Sequence, residues 1–115
     1  MYCYTEADMK KSTPAPDLSP ALREQVRGII GRHLGQRRYR LYLFGSRARG
    51  DATSRSDYDF GVQADGPLEL ATLARIRADL EDLPVLQRID VVDLTAATPE
   101  FVHRALEHSQ VLDER

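Results

Sequence analysis

The chain has 115 residues, which is enough for one domain with a hydrophobic core of its own. Hydrophobic residues make up 42% and charged residues 30%, a globular balance that excludes an intrinsically disordered chain. The formal net charge of −2 provides no general basic surface for nucleic acid, and the single cysteine, Cys3, excludes an internal disulfide and a cysteine-based zinc site.

The sequence also lacks the marks of a membrane or secreted protein. No apolar run approaches the roughly 20 residues needed to cross a bilayer, and the polar N-terminal stretch has no signal-peptide core. We therefore expect a cytoplasmic protein with no membrane partner and no direct contact with nucleic acid. Residues 1–17 show no sustained periodicity, so a flexible tail is predicted there and the domain is predicted over residues 18–115.

The first predicted element is a helix that begins at Ser19-Pro20, because serine is a good N-cap and proline suits the first helical position. Apolar residues recur at helical spacing up to Leu34, and Gly35 is placed to end the helix. A short apolar run rich in strand formers follows over 41–44, and we predict a buried strand there.

A second strand is predicted over 58–62, with apolar side chains on one face and acidic positions on the other. The next predicted helix begins after a turn at 65–67, and Pro84 ends it. The apolar face of this helix is predicted to contain Leu70, Leu73, Ile76 or Arg77, Leu80 and Leu83.

The last predicted elements are a strand over 88–94, a helix that begins at Thr98-Pro99 and a short strand at 111–112. The inward face of this last helix is predicted to comprise Phe101, Val102, Ala105 and Leu106. The order of elements predicts an α/β (α+β) fold in which helices flank a small, mixed β-sheet.

The turn at Gly45-Ser46 follows the first strand directly and is a candidate phosphate site. Glycine permits a tight bend close to a ligand, and exposed amide groups together with the Ser46 hydroxyl can surround an anion. Gly45 and Gly50 have the spacing of a P-loop, but that motif then requires Lys and Ser or Thr where this chain has Asp51 and Ala52. The P-loop interpretation therefore fails, and an ordinary strand-to-loop turn is the alternative.

Asp57 and Asp59 lie two positions apart on the second strand, so both carboxylates point to one face, with Cα atoms about 6.5–7 Å apart. Such a pair can converge on Mg²⁺, which takes hard oxygen ligands and also binds substrate phosphates. The alternative is an exposed face with hydrated charges. An EF-hand is disfavoured because its further oxygen ligands and central glycine are absent.

Asp90 is the third candidate carboxylate and lies in the middle of the third strand. If that strand neighbours the strand of Asp57 and Asp59, three carboxylates meet in one cleft and provide metal ligands and a candidate general base. A partly exposed strand acid is the alternative for Asp90. Asp93 points to the opposite face near the strand end and is predicted to be a turn residue.

Three arginines, Arg47, Arg49 and Arg55, surround the Gly45-Ser46 turn. Their guanidinium groups suit triphosphate oxygens because the donors form a planar fork. A solvated basic loop is the alternative for each of them.

The chain resembles the nucleotidyltransferase superfamily related to DNA polymerase β in residues at fixed spacing: Gly45-Ser46, ten further residues, Asp57-x-Asp59 and a later strand with Asp90. Its small size and the run over 41–50 resemble the minimal nucleotidyltransferase (MNT) branch, and its last helix followed by 111–114 is similar to the usual MNT ending. The resemblance extends from about Leu18 to the C-terminus. It implies the polymerase β-like nucleotidyltransferase fold.

The resemblance also implies a mechanism and a set of metal ligands. Asp57 and Asp59 would bind two Mg²⁺ ions on a nucleoside triphosphate. Asp90 would complete the metal site and help to deprotonate an acceptor hydroxyl. That hydroxyl would attack the α-phosphate in line as pyrophosphate leaves, and positioning and charge neutralisation would supply most of the catalysis.

The nucleotide site implied by the resemblance consists of the turn and its arginines. Gly45 and Ser46 would bind the β- and γ-phosphates, with Arg47 or Arg49 assisting. Larger relatives carry a second domain that binds the acceptor, and this chain has no room for one. We therefore expect the acceptor hydroxyl on another molecule.

The resemblance identifies a partner class as well. MNT proteins typically pair with a HEPN-domain protein as antitoxin and toxin, which implies transfer of AMP from ATP onto a tyrosine of the toxin in a type VII-like toxin–antitoxin pair. Two alternatives stay open: a catalytically silent antitoxin that neutralises its partner by occlusion, and a small-molecule nucleotidyltransferase. Formation of a homo-oligomer is also open, since a small sheet with exposed edges often recruits a partner.

Overall fold

The computed structural model of this protein describes residues 18–115, so the tail predicted over residues 1–17 lies outside the described residues. Between residues 18 and 115 the chain forms four helices and four strands. In chain order they are α1 (Pro20–Leu34), β1 (Tyr39–Phe44), α2 (Ser46–Arg49), β2 (Tyr58–Ala64), α3 (Leu70–Glu81), β3 (Ile89–Asp93), α4 (Pro99–Leu106) and β4 (Gln110–Glu114). None of these helices is long and apolar enough to span a membrane.

The first helix, α1, begins and ends where the sequence predicts. The Ser19 hydroxyl accepts a hydrogen bond from the Leu22 amide at 3.1 Å, and Pro20 occupies the first helical turn. Gly35 follows the last helical residue with a φ of 59°, a conformation that glycine adopts without strain. The buried face of α1 consists of Leu22, Val26, Ile29, Ile30 and Leu34.

The four strands form one mixed sheet in the order β3-β2-β1-β4. Strand β1 is antiparallel to both β2 and β4, whereas β2 and β3 are parallel. The register pairs Phe44 with Asp59, and Asp59 with Asp90, so the end of β1 and the starts of β2 and β3 lie at one end of the sheet. The predicted α/β fold with a small mixed sheet is confirmed. The terminal strand is longer than the predicted 111–112, because β4 pairs with β1 from Gln110 to Glu114.

The two faces of the sheet differ in their cover. Helices α1 and α3 pack on one face and, with the apolar side chains of β1 and β2, form the hydrophobic core. The other face carries Asp59 and Asp90, and α4 lies against part of it through an edge-to-face contact between Phe44 and Phe101, with ring centroids 6.1 Å apart. The acidic residues therefore lie on the face that the core leaves open.

The burial of two helix faces differs from what the sequence predicts. Leu70, the first residue of α3, is 84% exposed and does not belong to the buried face of that helix. Leu68, two residues earlier in the chain, is buried instead. The residues predicted to face inward from α4 are only partly covered, and Phe101 remains 37% exposed. A cavity lined by Phe44, Gly45, Phe101 and Ala105 lies beside this contact, which explains the incomplete burial.

Gly61 of β2 is closely packed on the open face of the sheet. A Cβ atom at this position would lie 2.6 Å from Cδ1 of Leu94, which is itself buried. We expect Gly61→Ala to lower the free energy of unfolding by about 1–3 kcal/mol, since overpacking forces side chains or backbone to shift. The measurement is urea denaturation, with unchanged slope as the sign of a two-state effect.

Gly28→Ala is the matched control for this substitution. Gly28 lies within α1, and a Cβ atom there would have no heavy atom within 4 Å. Alanine should raise the free energy of unfolding by about 0.5–1 kcal/mol at this position, because glycine loses more conformational freedom in a helix. Equal stability of the two alanine variants would contradict the packing argument.

Candidate active site

The candidate site lies at the end of the sheet where β1, β2 and β3 bring their acidic and glycine residues together. Asp59 and Asp90 are direct partners in the register of β2 and β3, and Asp57 precedes β2 by one residue. Asp59 and Asp90 are half-buried, whereas Asp57 is exposed. The predicted pairing of the two strands is present, so Asp57, Asp59 and Asp90 lie at one end of the sheet, and the surface between them and the Gly45 turn is the candidate cleft.

Gly45 brings the backbone against this cleft. Its φ of 76° lies in the left-handed region, and a Cβ atom at this position would collide with Oδ2 of Asp59. The turn is followed by the short helix α2, which begins at the half-buried Ser46 and was not predicted, because four residues are too few for a helical period. The amides of Ala48 and Arg49 both donate to the Gly45 carbonyl, which fixes the turn.

The carboxylates influence one another electrostatically. Burial is the main cause that raises the pKa of Asp59 above its ordinary value, and the charges of Asp90 and Asp57 raise it further. Arg49 and Arg88 act in the opposite direction without cancelling the effect. The cleft therefore carries negative charge that a bound cation would relieve.

The residues of the cleft fit a magnesium ion shared with a substrate. Within residues 18–115, no group of three or more His, Cys, Asp or Glu side chains is placed so that it could hold a metal ion. Mg²⁺ commonly binds through one or two carboxylates and takes further oxygen ligands from substrate phosphates and water. Asp57 and Asp59, with Asp90 beside them, match that pattern, and the Gly45 backbone lies so close to the Asp59 carboxylate that a Cβ atom would not fit between them.

The arginines near the turn divide into two kinds. Arg47 is 5% exposed, and its guanidinium donates to the carbonyl of Ser56 at 2.9 Å and stacks over the Tyr58 ring at 4.0 Å. It also donates to the Thr53 carbonyl at 3.3 Å, so this side chain secures the loop between α2 and β2. The sequence predicts that Arg47 or Arg49 assists in binding phosphate, but the buried position of Arg47 supports a structural role. Arg49 is about half exposed beside the cleft.

Three further polar residues lie in or next to the loops that flank β2 and β3. The Gln87 side chain donates to the Ser54 carbonyl at 2.7 Å and connects the loop before β3 with the loop before β2. Sequence reasoning missed this contact, because no local pattern links the two loops. Asp93 accepts hydrogen bonds from the amides of Leu68 at 2.8 Å and Thr95 at 3.1 Å, as expected of a turn residue. Arg55, the third arginine, is exposed in the loop.

Comparison with known proteins gives a family for this arrangement. Residues 38–115 match the model described as "Polymerase beta, Nucleotidyltransferase", and this range contains the turn and all three carboxylates. The chain belongs to the polymerase beta nucleotidyltransferase family. This nucleotidyltransferase is also 27% identical over 63 residues to the probable protein adenylyltransferase MntA of Haemophilus influenzae. The match spans 55% of this chain and 55% of that relative, about half the length of each.

Solved structures with the same fold include several antitoxins. A toxin–antitoxin crystal structure with AMP-PNP superposes with a TM-score of 0.69 at 20% identity, over 81% of this nucleotidyltransferase and 73% of that chain. A complex of a tri-AMPylated HEPN toxin from Shewanella oneidensis with an MNT antitoxin superposes with a TM-score of 0.63 at 18% identity, over 81% of this chain and 70% of that chain. A structure assigned to the minimal nucleotidyltransferases superposes with a TM-score of 0.63 at 32% identity, over 78% of this chain and 88% of that chain. The resemblance to the MNT branch is thus confirmed.

The raised pKa of Asp59 determines how stability should depend on pH. A carboxyl whose pKa is raised by folding binds its proton more tightly in the folded state, so stability falls as pH rises from about 3.8 through the raised pKa. We expect Asp59→Asn to remove this loss and to raise the free energy of unfolding at pH 7. Urea denaturation in EDTA between pH 4 and pH 7 checks the change.

Asp65→Asn is the control of opposite sign. A hydrogen bond from Arg37 is the main cause that lowers the pKa of Asp65, so its carboxylate stabilises the fold above pH 3.8 and loses that contribution as pH falls through its lowered pKa. Asp65→Asn should therefore destabilise at pH 7, where Asp59→Asn stabilises. Changes of the same sign would refute the electrostatic description of the cleft.

The division between the arginines gives a second test. Arg47→Ala should lower the free energy of unfolding by about 2–3 kcal/mol, since hydrogen bonds of a buried charged group are worth roughly 1.5–3 kcal/mol. Arg49→Ala should leave stability within about 0.5 kcal/mol and weaken AMP-PNP binding about 10-fold. Thermal unfolding and calorimetric titration measure the two effects. Loss of stability in Arg49→Ala alone would reverse the assignment.

Proposed function

We propose that this protein is a protein adenylyltransferase that transfers AMP from ATP, with Mg²⁺, to a tyrosine hydroxyl of a HEPN-domain toxin and thereby acts as its antitoxin. The observation that carries the proposal is the position of Asp59, which lies between Asp90 in the register of the sheet and the Gly45 turn. This arrangement brings a carboxylate pair and a close backbone turn to one cleft. The reaction would take place in the cytoplasm, where ATP is plentiful.

The donor half of the site consists of the turn and the exposed arginine. Gly45 and Ser46 would bind the β- and γ-phosphates, because Gly45 brings the backbone of the turn close to Asp59 and Ser46 adds a hydroxyl donor. Arg49 would add a planar pair of donors to the same phosphates. Asp57 and Asp59 would bind Mg²⁺, which when present neutralises charge on the phosphates and orients the α-phosphate.

The acceptor half of the site depends on Asp90. Its carboxylate lies beside Asp59 on the edge strand β3, on the side of Asp59 away from the Gly45 turn. An acceptor hydroxyl on this side would approach the α-phosphate in line with the departing pyrophosphate. The new bond joins the hydroxyl oxygen to the α-phosphorus, the bond to the bridging oxygen of the β-phosphate breaks, and Asp90 accepts the hydroxyl proton.

The choice of acceptor is supported by the relatives. MntA of Haemophilus influenzae is named for protein adenylyl transfer, and the MNT antitoxin of Shewanella oneidensis is bound to a HEPN toxin that carries AMP. The AMP-PNP of another toxin–antitoxin structure supports ATP as the donor. A protein hydroxyl is therefore better supported as acceptor than a small molecule.

Transfer of labelled AMP tests the proposal directly. The protein is incubated with α-labelled ATP, Mg²⁺ and the HEPN protein encoded beside it. Asp57→Ala combined with Asp59→Ala should reduce labelling at least about 100-fold, because both proposed metal ligands are lost. Glu69→Gln, which changes an exposed carboxylate at the start of α3, is the control and should label normally.

Each negative result has its own meaning. If the wild-type protein transfers no label while the double variant still inhibits the partner, occlusion replaces catalysis as the mechanism. If labelling occurs on a small molecule and never on protein, the acceptor class is wrong. Mass spectrometry of the labelled partner identifies the modified side chain, and a residue other than tyrosine would correct the acceptor.

A further inference from the structure

A cavity of about 430 Å³ lies between α4 and the Gly45 turn, on the open face of the sheet. Its lining combines two aromatic rings, two arginines and a few smaller groups, namely Phe44, Gly45, Arg49, Phe101, Arg104 and Ala105, with Glu107 and His108 at the end of α4. The proposed chemistry uses only Gly45 and Arg49 of this set. The rest of the cavity is unassigned.

The aromatic residues give this cavity a flat apolar wall. Phe101 is 37% exposed although it contacts Phe44 edge to face at 89°. A half-exposed phenyl ring beside a phosphate-binding turn provides a surface on which a planar base can stack. Arg49 and Arg104 supply positive charge at the rim, which suits the phosphate end of the same ligand.

We propose that this cavity binds the nucleoside of a purine nucleoside triphosphate, with Phe101 as the stacking surface for the base. The inference rests on the proposed function, since it assigns the donor's base to a place beside its phosphates. The cavity volume is sufficient for a nucleoside, and its continuity with Gly45 joins it to the phosphate turn. Phe101 then determines base preference, because a purine covers more of the ring than a pyrimidine does.

A second cavity supports this assignment by its position. It measures about 440 Å³ and is lined by Asp90 together with Arg77, Leu83 and Val85. Its lining comes mostly from α3, the loop that follows it and the start of β3, so this cavity lies at the β3 edge of the sheet, two strands away from the strand that ends at the Gly45 turn. The cavity of Phe101 includes Gly45 in its lining and is therefore the one that the base of a nucleotide bound at this turn can reach.

The test compares binding of whole nucleotides with binding of the phosphate part alone. AMP-PNP, CTP and inorganic tripolyphosphate are titrated in Mg²⁺ without acceptor. Phe101→Ala should weaken the affinity for AMP-PNP about 10-fold and reduce the preference for AMP-PNP over CTP. The affinity for tripolyphosphate should stay unchanged. Phe101→Tyr keeps the ring and should retain wild-type affinity.

Ala105→Trp provides a second variant that does not depend on the packing of Phe101. Ala105 lines the same cavity, and a bulky side chain there should fill it. The affinity for AMP-PNP should again fall, whereas the affinity for tripolyphosphate should not. Val111→Ala is the matched control, because Val111 is a 49% exposed apolar residue on β4 outside the cavity. This control should bind all three ligands as the wild type does.

The outcomes separate the two proposals. A wild-type protein that binds AMP-PNP tightly, with affinity unchanged in both Phe101→Ala and Ala105→Trp, overturns the nucleoside site but not the proposed function. Equal weakening of tripolyphosphate and AMP-PNP also overturns it, since the effect then lies at the phosphates. A wild-type protein that binds neither ligand overturns both proposals.

Discussion

The close approach of the Asp59 carboxylate to the Gly45 turn is the contact on which the site depends. Backbone hydrogen bonds of β1, β2 and β3 hold Asp59 between the end of β1 and Asp90, although burial and neighbouring carboxylates oppose its ionisation. Any side chain at position 45 would collide with that carboxylate. The sheet therefore concentrates the negative charge, and the glycine allows the backbone of the turn to lie against it.

The unequal faces of the sheet explain how the fold tolerates this charge. One face is covered by α1 and α3, and its buried aliphatic residues supply the hydrophobic stabilisation. The other face has little cover near the carboxylates, so water, cations and substrates can reach them. Stability and chemistry are thus located on opposite sides of one thin sheet, which lets a small domain carry a cluster of like charges.

The loops at the site are held by contacts that take no part in the chemistry. Arg47 donates to backbone carbonyls of the loop before β2 and stacks on the Tyr58 ring. Gln87, in the loop before β3, donates to the Ser54 carbonyl of the same loop. These contacts fix the approach to β2, and with it the position of Asp57. Arg49, two residues from Arg47, extends toward solvent and the cleft. A short helix thereby directs one arginine into the protein and leaves the other about half exposed.

The sequence by itself determined the four strands, three of the four helices, the turn and the candidate carboxylates, whereas the four-residue helix α2 has no helical period that a sequence could reveal. Capping at Ser19 and Thr98 and the alternation of apolar residues in β2 are local signals, and the structure follows them. The role of Arg47 and the exposure of Phe101 were decided only by tertiary structure. Both depend on which distant groups come within reach, the Ser56 carbonyl for one and an uncovered cavity for the other. Strand register is likewise a long-range property, so only the folded sheet could bring Asp90 next to Asp59.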